Sequence, residues 1–157
     1  MTEIERIVDQ LQRAFDGDAW HGPSLVQLLS GVDASQATAR PISLAHSIFE
    51  LVLHIAAWEG AGKRRLEGDP AQLKASEDWP PVNDTTEAAW EQAKQQLMTT
   101  HNELLDAVKT IDASRLDQPI IKDPAVSYST VYVTLQGVVQ HGLYHAGQIA
   151  ILKRALA

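Results

Sequence analysis

Apolar residues recur at helical spacing in four long stretches of the chain, and no stretch alternates as a half-buried strand would. The first stretch covers residues 2–16, where Ile4, Ile7, Val8, Leu11 and Phe15 form one stripe. The second is predicted over 47–66. Ser47 stands there as N-cap with Glu50 three residues on, the two halves of a capping box, ahead of Ile48, Leu51, Val52, Ile55 and Trp58. Gly68-Asp69-Pro70 ends it. The third is expected from Asp84, with Glu87 in capping-box position, to Ile111. The fourth starts near Ser129 and runs to the end of the sequence, carrying Val131, Leu135, Val138, Val139, Ile149 and Leu152.

The segments between are punctuated rather than periodic. Gly22-Pro23-Ser24 breaks the chain before Leu25, Leu28 and Leu29, which make an amphipathic turn or two, and Arg40-Pro41 stops that region. The EDWPPVND segment is expected as loop. In the linker DASRLDQPIIKDPAVS, Pro119-Ile120-Ile121 permits a short extended piece without requiring one. Residues 1–157 therefore read as one all-α domain, an antiparallel four-helix bundle with its sites between facing helices. In a simple up-and-down order the second and fourth helices would run parallel.

Composition narrows the function classes. The chain is 45% hydrophobic and 21% charged, as an ordinary globular protein is. No apolar run approaches the roughly 18 residues needed to span a bilayer, so no membrane segment is expected. A net charge of -7 argues against nucleic acid as a partner, because no domain-wide basic face is available to neutralise phosphates. The local clusters Lys63-Arg64-Arg65 and Lys153-Arg154 fall near predicted helix C-termini, where they favour the helix dipole. No cysteine is present, which excludes disulfides and thiolate ligands and means that any thiol chemistry uses a substrate thiol. A cytoplasmic location fits that composition.

The candidate chemistry lies in histidines. His141 and His145, in QHGLYHAGQIAILKR, are four apart and so project from one helix face. Two imidazoles need at least one more ligand, and His54, on the second predicted helix, is the best supplier. Three imidazoles leave a coordination position for water or substrate, as a catalytic metal site requires. Gly142 follows His141, so the glutamate of a HExxH protease is missing.

Of the remaining histidines, His101, in the polar context TTHNELL, is expected on a solvated helix surface. His46 is expected as a cap or pocket-edge group, and His21 in an exposed loop. Tyr144 and Trp58 admit two readings, aromatic core packing or a cavity wall, with Tyr144 also a candidate catalytic hydrogen-bond donor near the ion. Glu50, one turn before His54, and Gln148, three residues after His145, are placed to hold a ligand imidazole in one tautomer. Gly142 and Gly147 each cost about 1 kcal/mol in a helix. That cost suggests close helix approach or room for a ligand.

Four segments, WHGPSL, HSIFELVLHIAAWE, EDWPPV and QHGLYHAGQIAILKR, resemble the DinB-like four-helix bundles, whose relatives include bacillithiol- and mycothiol-dependent S-transferases. The resemblance covers nearly the whole chain. It implies a divalent metal, nickel or zinc foremost with iron, cobalt or manganese as alternatives, held by His54, His141 and His145. It also implies a homodimer and, in some members, transfer of low-molecular-weight thiols onto electrophiles. A metal-dependent S-transferase acting on a small molecule is therefore one expectation. A metal-dependent hydrolase, and a stress-response protein that binds metal or ligand without chemistry, are the others.

Overall fold

In the computed structural model, which describes residues 1–123 and 129–157, every predicted long helix is present and ends where side chains can serve its free amides. Helix α1 spans Glu3–Phe15 behind a Thr2–Glu5 capping box. Two short helices follow, α2 (Leu25–Leu29) and α3 (Ala34–Thr38). Helix α4 (Ile48–Leu66) begins at the expected Ser47. The Ser47 hydroxyl accepts the Glu50 amide at 3.2 Å, and the Glu50 carboxylate accepts the Ser47 amide at 2.7 Å. A four-residue helix α5 (Ala75–Asp78) lies in the segment expected as loop, and α6 covers Glu87–Thr110. A 3-10 turn at Ala113–Arg115 leads toward α7 (Val131–Ala155). Helix α2 is the amphipathic turn expected at Leu25–Leu29, whereas α3 and α5 show no signal in the sequence because four or five residues are too few to show a period.

Helix α6 starts two residues later than expected. Thr86 is its N-cap, accepting the Ala89 amide at 3.3 Å, while the Asp84 carboxylate instead accepts the Thr86 amide at 2.8 Å. Glu87, released from the expected capping box, reaches across the fold and accepts the Ala34 amide at 2.8 Å in the first turn of α3.

Two apolar clusters fix the direction of each long helix. Ile7 and Leu11 of α1 share one cluster with Leu66 at the end of α4, Val108 at the end of α6 and Val131 at the start of α7. Phe15 shares the other with Ile48 at the start of α4, Trp90 near the start of α6 and Leu152 near the end of α7. Helices α1 and α7 thus point one way, and α4 and α6 the other. Helix α4 packs along α6 and α7, and α1 packs along the same two, so α4 and α7 are antiparallel neighbours. The parallel pairing of second and fourth helices expected from a simple up-and-down order is corrected. The cause is the connection 67–86: with α4 and α6 parallel, it must climb the length of a 19-residue helix, about 28 Å at 1.5 Å per residue. Bundles with such crossovers are a known variant of the architecture.

The Pro119-Ile120-Ile121 piece does pair. An isolated antiparallel bridge joins Pro119 to Thr130, with the Ile120 amide donating to the Ser129 carbonyl at 3.1 Å. Close approach of α4 to α7 occurs at Gly62, where an added Cβ would lie 3.2 Å from Val138 Cγ2. It does not occur at Gly142 or Gly147, where an added Cβ would meet nothing within 4 Å. Those two glycines therefore do not mark a helix contact, the first of the two readings their cost suggested; the space around them leaves the second, room beside the histidines. Among the described residues, no helix is long and apolar enough to cross a membrane.

Candidate metal centre

Because α4 and α7 run antiparallel, His54 in the first half of α4 meets His141 and His145 in the second half of α7. The Nε2 atom of His141 lies 3.0 Å from Nε2 of His54 and 3.1 Å from Nε2 of His145. Nitrogens sharing one ion at ordinary bond lengths of about 2.0–2.1 Å sit about 3.0–3.4 Å apart, so His141 is already at ligand spacing from both other rings, and all three ligand atoms lie within 4.8 Å of one another.

Outer contacts then settle the tautomers. The Nδ1–H of His54 donates to the Asp78 carbonyl at 2.6 Å, and that of His145 to Gln148 Oε1 at 2.7 Å. A carbonyl only accepts, so both neutral rings carry a lone pair at Nε2. His141 can bring at most one proton to Nε2 for two facing lone pairs. The donor set is thus one that a cation satisfies and hydrogen bonding alone does not. His54, His141 and His145 could hold a metal ion, and they are the one such group among the described residues.

The surroundings keep the rings neutral. Burial, then the neighbouring His145 and His54, push His141 down to about 4. Burial is also the main cause that lowers His54 and His145, against the Asp78 carbonyl and the Gln148 hydrogen bond respectively.

Much of the enclosure comes from the crossover. Trp79 lies between two imidazoles, its ring stacked 3.8 Å from His54 and 3.6 Å from His46, each within 10° of parallel. The Asp78 carboxylate accepts Trp58 Nε1–H at 2.7 Å and stands 3.2 Å from His54 Nδ1. Opening from the histidines is a cavity of about 560 Å³ walled by Trp58, Trp79, Val133, Val138 and Tyr144, with Arg65 and Thr134 also lining it. Trp58 is accordingly a cavity wall. Tyr144 sits at the rim, 66% exposed, its ring centroid 5.0 Å from that of His145.

A sequence model described as the DinB superfamily matches residues 19–149, a span that takes in all three histidines. The chain belongs to the DinB superfamily. No curated protein and no solved structure matches it. In this DinB-superfamily chain the helical positions expected to supply ligands do converge, and Gln148 orients His145 as its spacing suggests.

Other expectations are corrected. Glu50 does not orient His54: its carboxylate is taken by the Ser47 cap and by Arg40 at 2.6 Å, and the Asp78 carbonyl fills that role instead. His101 is not on a solvated surface. It is 1% exposed, stacked 3.6 Å from Phe15, with Nδ1 3.1 Å from the buried Glu59 carboxylate. His46 is exposed and stacks on the outer face of Trp79 without lining the cavity, and His21 is exposed. Sequence reasoning missed Asp78 and Trp79 as parts of the site. Their signal was EDWPPV, an aromatic residue pinned by two prolines in a linker long enough to cross the bundle.

Proposed function

We propose that this chain is a metal-dependent enzyme acting on small molecules, and that its reaction joins a low-molecular-weight thiol to an electrophile. The supporting observation is the convergence of the Nε2 atoms of three imidazoles on the wall of a cavity lined mostly by apolar and aromatic side chains. Nickel or zinc suits an all-imidazole donor set. Either ion, when bound, supplies a Lewis acid that lowers a thiol's pKa and retains its thiolate.

The chain's own groups do the rest. The Asp78 carbonyl and Gln148 hold two imidazoles in the ligating tautomer, and Trp79 fixes the His54 ring by stacking. Trp58 and Trp79 exclude water from one side of the donor set, which strengthens every electrostatic interaction there. Tyr144, which lines the cavity, would donate its hydroxyl hydrogen bond to a developing anion on the electrophile. In the balanced reaction the thiol proton passes to solvent, sulfur's electron pair forms the new C–S bond, and the leaving group departs with its own pair. With no cysteine in the chain, the thiol belongs to the substrate.

A second reading is favoured by one observation, the Asp78 carboxylate on the same cavity wall. That group would serve a hydrolase as general base toward water.

The test is elemental analysis of protein purified without a tag or metal column, beside His54→Ala and His141→Ala, followed by turnover with thiols and electrophiles. Near one equivalent of metal in the wild type alone, with conjugate formation, is the expected result. Wild-type protein that takes up neither nickel nor zinc refutes the proposal, and turnover of esters or amides without thiol transfers it to the hydrolase.

A further inference from the structure

Helix α7 turns one continuous ridge toward the cavity. Val133, Gly137, His141 and His145 follow one another at four-residue spacing, and all of them line it. Residues so spaced share a helix face, so the ridge carries a side chain at every step except Gly137. The gap lies one turn from a histidine of the metal centre.

Packing does not account for this gap. A Cβ added at Gly137 would meet nothing within 4 Å. Gly62, which lines the same cavity from α4, is a glycine of the other kind. An added Cβ there would lie 3.2 Å from Val138 Cγ2, so its missing side chain lets two helices close. At Gly137 the missing side chain leaves room instead. Glycine inside a helix is unfavourable relative to alanine, and no close contact offsets that here. Gly142 and Gly147 face open space too, but neither lines this cavity.

The wall across from the gap is aromatic. The Trp58 ring is 5.7 Å from the His141 ring, and Gly62 meets Val138. The Trp58–Gly62 turn of α4 thus lies opposite the Val138–His141 turn of α7, with Gly137 immediately before it. The Asp78 carboxylate fixes the indole by accepting its Nε1–H at 2.7 Å. His54 and His141 are tilted 72° and 54° to that ring, so neither stacks on it, whereas Trp79 has His54 and His46 stacked on it.

We propose that Gly137 sets the specificity of the cavity, and that the molecule taken carries an aromatic ring seated over Gly137 and against Trp58, with its reacting or ligating atom at the histidines. Paired rings attract in offset and edge-to-face arrangements, which a fixed indole favours over a saturated ring of equal size. A cavity of about 560 Å³ has room for such a ring beside the histidines. The inference deepens the function above by naming the chemistry of the electrophile. It rests on that reading for the metal centre and not for thiol transfer.

The test uses the full chain loaded with cobalt(II). Acetohydroxamate, cyclohexanecarbohydroxamate and benzohydroxamate are titrated by the cobalt ligand-field bands. Benzohydroxamate should bind about tenfold more tightly than acetohydroxamate and about threefold more tightly than the cyclohexyl compound. Gly137→Leu should remove both preferences while leaving acetohydroxamate within about twofold, and this comparison cancels intrinsic differences among the three ligands. Gly137→Ala should keep most of the preference and raise Tm by about 2–4 °C, because open space accepts a methyl group and the helix gains.

Preferences that survive Gly137→Leu overturn the inference. An equal loss of all three ligands overturns it as well, because Gly137 then shapes the metal centre itself. Cyclohexyl binding as tight as phenyl overturns the aromatic assignment, and a lower Tm in Gly137→Ala shows a glycine required by packing. A ring preference in a protein that conjugates no thiol supports the role of Gly137 and rejects the thiol reading. Thiol conjugation with no ring preference overturns the inference and leaves that reading standing. Failure to take up cobalt overturns both.

Discussion

His101 and Glu59 show what a histidine does in this fold when no other imidazole faces it. The pair is buried, 1% and 5% exposed, and burial raises the Glu59 carboxyl above the usual carboxylate range against the opposing pull of His101. Stranding one partner of such a pair is far costlier than replacing both by apolar groups of similar size. We therefore expect His101→Ala to destabilise the protein by about 3 kcal/mol, and Glu59→Met with His101→Leu to recover most of that loss. Urea melts of the three proteins check it, and a double variant no better than the single one contradicts it.

The residue was legible, though not from its polar neighbours in sequence. Leu97, His101, Leu104, Leu105 and Val108 fall on one helical face, and all five are buried. The stripe outweighs the local context, because flanking residues on a helix point elsewhere. The metal-centre histidines were legible for the same reason, as spacing on a regular element. Asp78 and Trp79 were not, since a loop has no period to say which of its residues turns inward.

At the scale of elements, capping chemistry was the most transferable signal in the sequence. Ser47 and Glu50 begin α4 as expected, and the cap matters for more than local order because α4 carries His54, Trp58 and Arg65. Ser47→Ala removes the hydroxyl that accepts the Glu50 amide, and should cost about 1 kcal/mol. In a protein of this size that is a fall of about 2–4 °C in Tm, read by calorimetry; an unchanged Tm contradicts it. The same signal misled at α6, where Asp84 and Glu87 have capping-box spacing. There Thr86, two residues on, caps the helix, and Glu87 makes a tertiary contact to α3. Choosing between adjacent polar residues as caps is decided by the rest of the fold, which local spacing does not contain.

For the whole molecule, the order of the long helices was the part that periodicity could not supply. A stripe says that a helix has an inner face and is silent about which neighbour covers it. The parallel course of α4 and α6 routes residues 67–86 along the bundle, and this connection brings Asp78 and Trp79 to the histidines. The three imidazoles also give the molecule a collective acid response. His141 is held near 4 in the fold against an ordinary 6.5, and His54 and His145 are lowered as well. Below about pH 6.5 the unfolded chain takes up protons that the native rings refuse, so stability is full above that pH and falls as pH drops toward 4. Melts in the presence of a chelator should show this slope, flattened in His141→Ala; an equal slope in both proteins would count against the assignment.

The ligands are unevenly placed along the chain, two of them four residues apart on α7 and the third 87 residues from His141 on α4. An ion in the centre would then have a local grip and a remote one. Separation of α4 from α7 would break only the remote bond, leaving the ion on a two-point foothold from which water or a chelator could take it. Metal exchange would consequently act as a clock for that opening. Its rate would follow how often the two helices part rather than how strongly three imidazoles bind, and it would register a breathing motion that melting of the whole bundle does not resolve.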